Sequence, residues 1–538
     1  MATASFSPAS LRTRRGKKRL GLRRLAAWLS ASASDRYAAP SLVIGFAAIH
    51  ALLWSVILIN LKAAQDVHMD VAEAFAWGQK FQLGYGKHPP LSGWIAGLWF
   101  TLFPVTDWST YLLAMTTLAT GLVICWLIAL RVVDYRRAFF VVVMLALYPI
   151  FNFKGFKYNP DLLQLVTLPL LVLAYLNAFG QRSVRSGVWL GLAGALALMT
   201  KYWVLTMIGA VGLAALVHPE GHRFLRSGAP WIAMVMAAVA MIPHLIWLKE
   251  VDLVPLTYAG DVYGLSSRAQ SAALVLNYIG HNLALLALPV MLALSALGGT
   301  DLVRRPSAIW TRVTSRGTNP TNFSQALNVW IIQLIVAIGP PLGGLIFTIY
   351  MKTDWGISLF FLTPLCLVAL PGLRIQKIAL LRIAAIWLVL TLAALVTSPY
   401  IAAHGIAANL NAASSYGARS QLARELTQIW HARFATRWPV VAGTTEIGEP
   451  MTFYSPDHPA PFTPGEIWSS GLTSLEEAKR LGFIGICDTS DGRLPACEAW
   501  MAANAKDAEQ LAITTQRFFR GHPGPATTWK IFIVGPAK

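Results

Sequence analysis

The chain has 538 residues, of which 55% are hydrophobic and only 13% charged, with a mean hydropathy of +0.53. Soluble domains carry about 25% charged residues, so this chain lacks the supply for a fully wetted surface. Its formal net charge of +19 does not make it a nucleic-acid binder, because the lysines and arginines sit in short clusters beside apolar runs and form no continuous basic face.

Residues 1–40 open with Arg12, Arg14, Arg15, Lys17, Lys18, Arg19, Arg23 and Arg24. A secretory signal would place its apolar stretch directly after such charges. Here only Leu25 to Trp28 follow, so the segment reads as a retained cytoplasmic tail. Apolar runs then predict about eleven membrane-spanning helices, at 41–61, 110–130, 138–153, 162–179, 187–200, 202–217, 229–248, 272–297, 326–350, 357–370 and 383–398. With the N-terminus inside, Arg131, Arg136, Arg137, Arg182, Arg185, Arg223 and Arg226 all fall on cytoplasmic loops. So do Arg304, Arg305, Arg312, Arg316, Arg374, Lys377 and Arg382, as the positive-inside rule requires. The Gly187–Gly191 pair reads as a packing contact between two helices. The fold class is therefore a polytopic α-helical membrane protein whose C-terminus lies outside. A spanning region covers 41–403, and a small α/β domain covers 404–538, with strands at 439–444, 483–488 and 530–534 and helices at 475–481 and 496–505. Cys487 and Cys497 lie in that domain, where an oxidising compartment permits a disulfide.

The outside loop 62–104 carries the chemistry. Asp70, Glu73 and Trp77 are spaced i, i+3 and i+7, which puts two carboxylates on one face of a short helix. Gly84-Tyr85-Gly86 allows a tight turn, Lys87-His88 bring cationic groups, and Pro89-Pro90 stiffen the chain after them. Residues 91–103, with Trp94 and Trp99, suit a helix lying in the membrane interface. Two further outside turns hold ionisable groups. In Tyr158-Asn159-Pro160-Asp161 the aspartate is either functional or a helix N-cap. Lys352-Thr353-Asp354-Trp355 forms the other turn, and Lys201, between two short spans, either binds substrate or snorkels to the interface.

The combination of an acid, a helical aromatic segment and Gly-Tyr-x-x-His-Pro-Pro-Leu-x-x-Trp resembles the first periplasmic loop of bacterial GT-C glycosyltransferases. The family-39 type, related to dolichyl-phosphate-mannose protein mannosyltransferases and aminoarabinose transferases, is the group it is similar to. In that family the loop begins Asp-Glu. Asp70 takes the Asp position, Val71 replaces the Glu, and Glu73 stands one turn on. The Pro160-Asp161 element matches a second family feature, and Lys352 to Trp355 a weaker third in which Gly356 replaces proline. The resemblance implies an enzyme that transfers a sugar from a polyprenyl-phosphate donor to a lipid, glycan or protein acceptor at the outer face of the bacterial inner membrane. It implies Asp70 as general base, with Glu73 and Asp161 as further catalytic acids. Tyr85, Lys87, His88, Lys201 and Lys352 would bind substrate, the cations holding phosphate. A divalent metal is left open as a cofactor. No phosphate-binding Gly-x-x-x-x-Gly-Lys-Ser/Thr motif is present, and no Asp-x-Asp element for nucleotide sugars. The rival reading is a transporter or lipid flippase, which would place charges near the bilayer midplane and repeat its halves.

Overall fold

A computed structural model describes residues 9–298, 322–373, 375–408, 416–466 and 472–537. The N-terminal side chains up to Arg19 and the loop arginines 304, 305, 312, 316 and 374 lie outside what is described. Helix α1 (Ala9–Ser34) occupies most of the expected tail and rests Ala26, Leu29 and Ala33 on the bundle. The bundle itself begins with α2 (Ala38–Lys62), and loop 62–104 folds into α3 (Met69–Gly78) and α4 (Leu91–Leu102). Then come α5 (Asp107–Val132), α6 (Tyr135–Ala146), α7 (Pro160–Gln181), α8 (Val184–Leu198), α9 (Leu205–Val217), α10 (Gly221–Leu225) and α11 (Ala229–Glu250). The chain continues through α12 (Val254–Tyr263), α13 (Arg268–Leu297), α14 (Phe323–Phe347), a 3-10 stretch (Thr353–Leu362), α15 (Thr363–Val368) and α16 (Lys377–Ala407).

Every expected span coincides with helix, but the lengths differ. Among the described residues seven helices are long and apolar enough to cross a membrane: α2, α5, α7, α11, α13, α14 and α16. The runs at 138–153, 187–200, 202–217 and 357–370 form shorter helices, broken where polar side chains or prolines intervene. Leu245, Ile246, Val389 and Val396 stay more than half exposed on helix faces, which in a soluble protein would be a large sticky patch and here is a lipid-facing surface. Inside the bundle the glycine reading holds. A Cβ on Gly187 would lie 2.4 Å from the carbonyl of Ala229 and one on Gly191 2.3 Å from that of Ala233, so α8 and α11 pack backbone to backbone.

The C-terminal domain comprises α17 (Arg419–Arg433), β1 (Val440–Ala442), α18 (Thr445–Tyr454), β2 (Ala460–Phe462), α19 (Leu475–Leu481), β3 (Phe483–Asp488), α20 (Leu494–Asn504), β4 (Glu509–Phe519) and β5 (His522–Val534). Its sheet has the order β2-β1-β3-β5-β4, parallel among β2, β1 and β3 and antiparallel at β3-β5 and β5-β4. Trp430, Trp438 and Trp529 are fully buried on the α17 face, and Phe483, Cys487 and Met501 on the other. Local pattern does not mark strand β4 or helices α17 and α18: Glu509 to Phe519 alternates weakly, and α17 is rich in charge. Cys487 and Cys497 form the disulfide, with Cα atoms 5.9 Å apart, joining β3 to α20. Closing so short a loop removes chain entropy worth about 3 kcal/mol. Replacing both cysteines by serine is expected to lower the thermal midpoint of the purified protein accordingly. A midpoint that does not move counts against a structural role.

Candidate active site

Helix α3 is where the bundle and the C-terminal domain meet. Asp66, just before it, is buried and accepts hydrogen bonds from the amides of Arg419 (2.8 Å) and Ser420 (3.4 Å) and from the Arg517 guanidinium. The Val67 amide donates to the Tyr454 hydroxyl at 2.7 Å, and the Lys80 ammonium donates to the Leu472 carbonyl. Phe75 packs edge-on against Phe453 at 5.5 Å and Phe100 at 5.2 Å. At its far end α3 crosses α4 so closely that a Cβ on Gly78 would meet the Gly97 nitrogen at 2.5 Å. The helix is thus gripped at both ends.

The two acids of α3 part company. Three residues on an α-helix turn through about 300°, leaving their side chains roughly 60° apart, and the surroundings exploit that angle. Asp70 faces the turn before α7. Its carboxylate accepts from Asn159 Nδ2 at 2.7 Å, with Lys157 Nζ at 3.7 Å and His68 Nδ1 at 3.4 Å. Burial pushes its carboxyl up, but His68, Lys157, the Asn159 hydrogen bond and Lys352 together outweigh this and hold it well below the ordinary range. Glu73 turns under the C-terminal domain, where Lys87 Nζ sits 2.7 Å away with both side chains largely buried. Burial raises the Glu73 carboxyl despite Lys87. Burial would lower the Lys87 ammonium, but Glu73 and Glu449 raise it instead. Asp70 and Glu73 thus hold different partners. Glu73 and Lys87 pair with each other, and Asp70 adds to the rise of the Glu73 carboxyl.

Other expected residues also find different partners. The Tyr85 ring stacks on Trp77 at 5.0 Å, and its hydroxyl reaches the carbonyls of Trp77 and Lys80 at 2.8 Å each, so it ties the loop together. His88 exchanges backbone hydrogen bonds with Tyr85 (2.9 and 3.2 Å), and burial followed by the charges of Lys201 and Lys87 keeps its ring well below its usual pKa. The cap of α7 is Asn159, which accepts from the Leu162 amide; Asp161 is one residue inside, with Lys201 Nζ at 2.7 Å and Gln164 Nε2 at 3.0 Å. Neither the capping role for Asp161 nor snorkelling of Lys201 fits: Lys201 is buried, paired, and lies 5.2 Å over the Trp355 ring.

Residues beyond those anticipated complete the cluster. Asp354 lies 3.8 Å from Lys157, 3.6 Å from Lys154 and 3.8 Å from His281, and Lys154 Nζ approaches His281 Nε2 at 3.2 Å. Asp70 thus heads a chain of alternating charge, Asp70–Lys157–Asp354–Lys154, along a cavity of about 200 Å³ lined by Lys154, Phe156, Lys157, Asn159, Asp161 and Asp354. Lys352 is exposed, acts on the Asp70 carboxyl, and makes no ion pair among the described residues. The signal for His281 was an ionisable side chain in an otherwise apolar span. Lys154 and Lys157 stand in the turn between α6 and α7, where lysines are common and carry no signal of their own. No group of three or more His, Cys, Asp or Glu among the described residues could hold a metal; the carboxylates face lysines instead. The charges gather at one end of the bundle, beneath the C-terminal domain.

The fold has known counterparts. A structure of ArnT from Cupriavidus metallidurans bound to undecaprenyl phosphate superposes with a TM-score of 0.57 over 91% of this chain and 98% of that one, at 11% identity. The same enzyme in its apo state gives 0.56 over 92% and 98%, at 12% identity. The chain has the GT-C fold. A family model for dolichyl-phosphate-mannose-protein mannosyltransferases matches residues 87–247 of this GT-C chain. The lipid A galacturonosyltransferase RgtD of Rhizobium johnstonii is 26% identical over 238 residues, 41% of this chain. The match spans 45% of that relative's length, about half. The resemblance to family-39 GT-C enzymes read from the first loop is borne out.

Two outcomes follow from the buried acids. Lys87→Met, which strands Glu73, is expected to cost about 3–5 kcal/mol, measured as a lowered unfolding midpoint in detergent. An equal midpoint would mean the pair is not buried in solution. Glu449 is buried nearby with Oε2 unpartnered among the described residues, and its carboxyl is raised well above the usual range by burial and by Glu73. A raised acid binds more protons folded than unfolded, so its contribution falls as pH rises from about 4.3 towards its folded pKa. Glu449→Gln is expected to flatten that decline in a thermal-midpoint series run from about pH 5 to about pH 8.

Proposed function

We propose that this protein transfers a sugar from a polyprenyl-phosphate donor to a hydroxyl of an envelope acceptor, at the outer face of a bacterial inner membrane with the C-terminal domain periplasmic. The observation that carries the reading is the Asp70 carboxylate, held at the end of a lysine-lined cavity at the same end of the bundle as the C-terminal domain. ArnT, whose fold this chain shares, is known bound to undecaprenyl phosphate, and RgtD is named for transfer to lipid A. A lipid is accordingly the acceptor class we favour.

In the proposed reaction the acceptor oxygen attacks the anomeric carbon while the bond from that carbon to the phosphate oxygen breaks. The acceptor proton passes to Asp70, and polyprenyl phosphate leaves. Charge grows on the departing phosphate as the sugar gains oxocarbenium character. Lys157 and Lys352, both acting on Asp70, are the cations placed to take that charge. Their double duty addresses a difficulty, since a carboxyl held so low is a weak base. Once the donor phosphate draws the two lysines towards itself, Asp70 loses part of their stabilisation and becomes more basic. Asp161 serves by fixing Lys201 beside the cavity, and Glu73 with Lys87 by fixing the loop under the C-terminal domain.

Membranes carrying the protein, supplied with labelled polyprenyl-phosphate sugars and envelope lipid, test this directly. Asp70→Asn is expected to reduce transfer by about 10²–10⁴-fold at an unchanged protein level. Transfer that survives the substitution removes Asp70 from the role of base. Label that crosses the bilayer without joining an acceptor overturns the enzyme reading.

A further inference from the structure

A second cavity, of about 740 Å³, runs along the flank of the bundle between α7, α8 and α11. One end of it is apolar, walled by Leu91, Trp94 and Met199, and the Trp94 indole already donates to the Gln82 carbonyl at 2.7 Å. The polar side chains of its lining, Asn177, Gln181, Arg185 and Ser186, gather at the other end. Helix α7 runs 22 residues from Pro160, beside the Asp70 cluster, to Gln181. At 1.5 Å per residue that polar end lies roughly 30 Å from the cluster, about the thickness of a bilayer's hydrocarbon core.

Some polar groups there are already satisfied. Arg182 pairs with Glu220 at 3.0 Å, and the Ser186 hydroxyl donates to the Ser183 carbonyl at 2.8 Å. Others are not. Arg185 is exposed and makes no ion pair among the described residues, and the Gln181 side chain makes no hydrogen bond among them. Asn177 Oδ1 is shut off from solvent without a hydrogen-bond partner among the described residues, which is costly unless something else supplies one. Beyond these groups Trp189, Leu192 and Leu196 offer an apolar wall, Trp189 being 60% exposed. The lining therefore has the polarity of an amphiphile with its anionic head at Arg185 and its chains directed towards Met199. A polyprenyl chain whose phosphate sits at Asp70 would run the opposite way. It would leave Arg185 unmet and set hydrocarbon against Asn177 and Gln181.

We propose that this groove binds an anionic phospholipid of the cytoplasmic leaflet, with its phosphate on Arg185 and its acyl chains lying along α7 and α8. Its glycerol-ester region, with the water it carries, would sit at the level of Gln181 and Asn177. The site is separate from the donor site, and it rests on the proposed function only for the leaflet that supplies the lipid.

The full-length protein, reconstituted with phosphatidylglycerol and phosphatidylcholine in equal amounts and then purified, is expected to retain the anionic lipid preferentially, as read by native mass spectrometry. Arg185→Gln should lower the ratio of the two about fivefold, the weight of one interfacial arginine. Arg226→Gln, at an exposed arginine outside the groove, should leave the ratio unchanged. Ala240→Trp, which fills the groove from α11, should reduce retention of both lipids. Equal retention of the two lipids by wild type, or a ratio unmoved in Arg185→Gln, overturns the proposal. An equal fall in Arg226→Gln also overturns it and assigns the preference to general surface charge. Phosphatidylglycerol with a photoreactive group at the end of its chain is expected to label α8 near Leu196 and Met199. Label near Arg185 instead would reverse the lipid, and displacement of the lipid by polyprenyl phosphate would give the groove to the donor; either result sinks the proposal. None of these readouts needs turnover. Preferential retention without sugar transfer would therefore fail the transferase reading and leave the lipid site standing, and transfer without the preference would do the reverse.

Discussion

The buried contact of Asp66 with Arg517 and the amides of Arg419 and Ser420 joins two parts of the chain that lie more than 350 residues apart in sequence. An ionised carboxylate out of water is costly unless charge and hydrogen bonds meet it together. Here a guanidinium and two backbone N–H groups do so, and helix α3 starts three residues later. With its beginning tied to the C-terminal domain and its end pressed backbone to backbone on α4, α3 has little freedom to rotate. That fixed rotation turns Asp70 towards Asn159 and Lys157 of the cavity wall and Glu73 under the C-terminal domain.

The same cost of burial organises the remaining charges. Glu73 meets Lys87, Asp161 meets Lys201, and Asp354 is shared by Lys154 and Lys157. Such pairs contribute little net stability compared with apolar packing, but removing one partner strands the other. They act as positional restraints. Lys352 makes no ion pair among the described residues, so with Lys154, Lys157 and Lys201 set against Asp354, Asp70 and Asp161 the group carries one positive charge in excess. A site that must first receive a phosphate diester and then stabilise the greater charge of the leaving group is served by that imbalance. Among the described residues the C-terminal domain contributes no side chain to the Asp70 cluster itself, and its influence runs through the orientation of α3.

Much of this was legible before folding. Apolar runs and the Gly-x-x-x-Gly contact of α8 are local signals, and each reappears as helix or helix contact. The acid of the first loop was equally legible, because Asp70 stands in a motif with fixed spacing to His88-Pro89-Pro90. The partners were not. Asn159 rather than Asp161 caps α7, a choice between two nearby residues that turns on backbone geometry at the helix entrance. Lys201 looked like a snorkelling side chain because its partner Asp161 is 40 residues away in sequence.

By itself, then, the amino-acid order determined that the chain is a helical membrane protein and picked out the loop and the aspartate on which the proposed reaction rests. These follow from composition, period and spacing, all of which act over a few turns of chain. Tertiary structure alone decided that Glu73 and Lys87 cancel each other, that Asp354 and His281 join the cluster from distant segments, and that a second domain holds α3 in place. Charge pairing acts over a few ångströms of space irrespective of separation along the chain, so only the folded arrangement shows which acid meets which base.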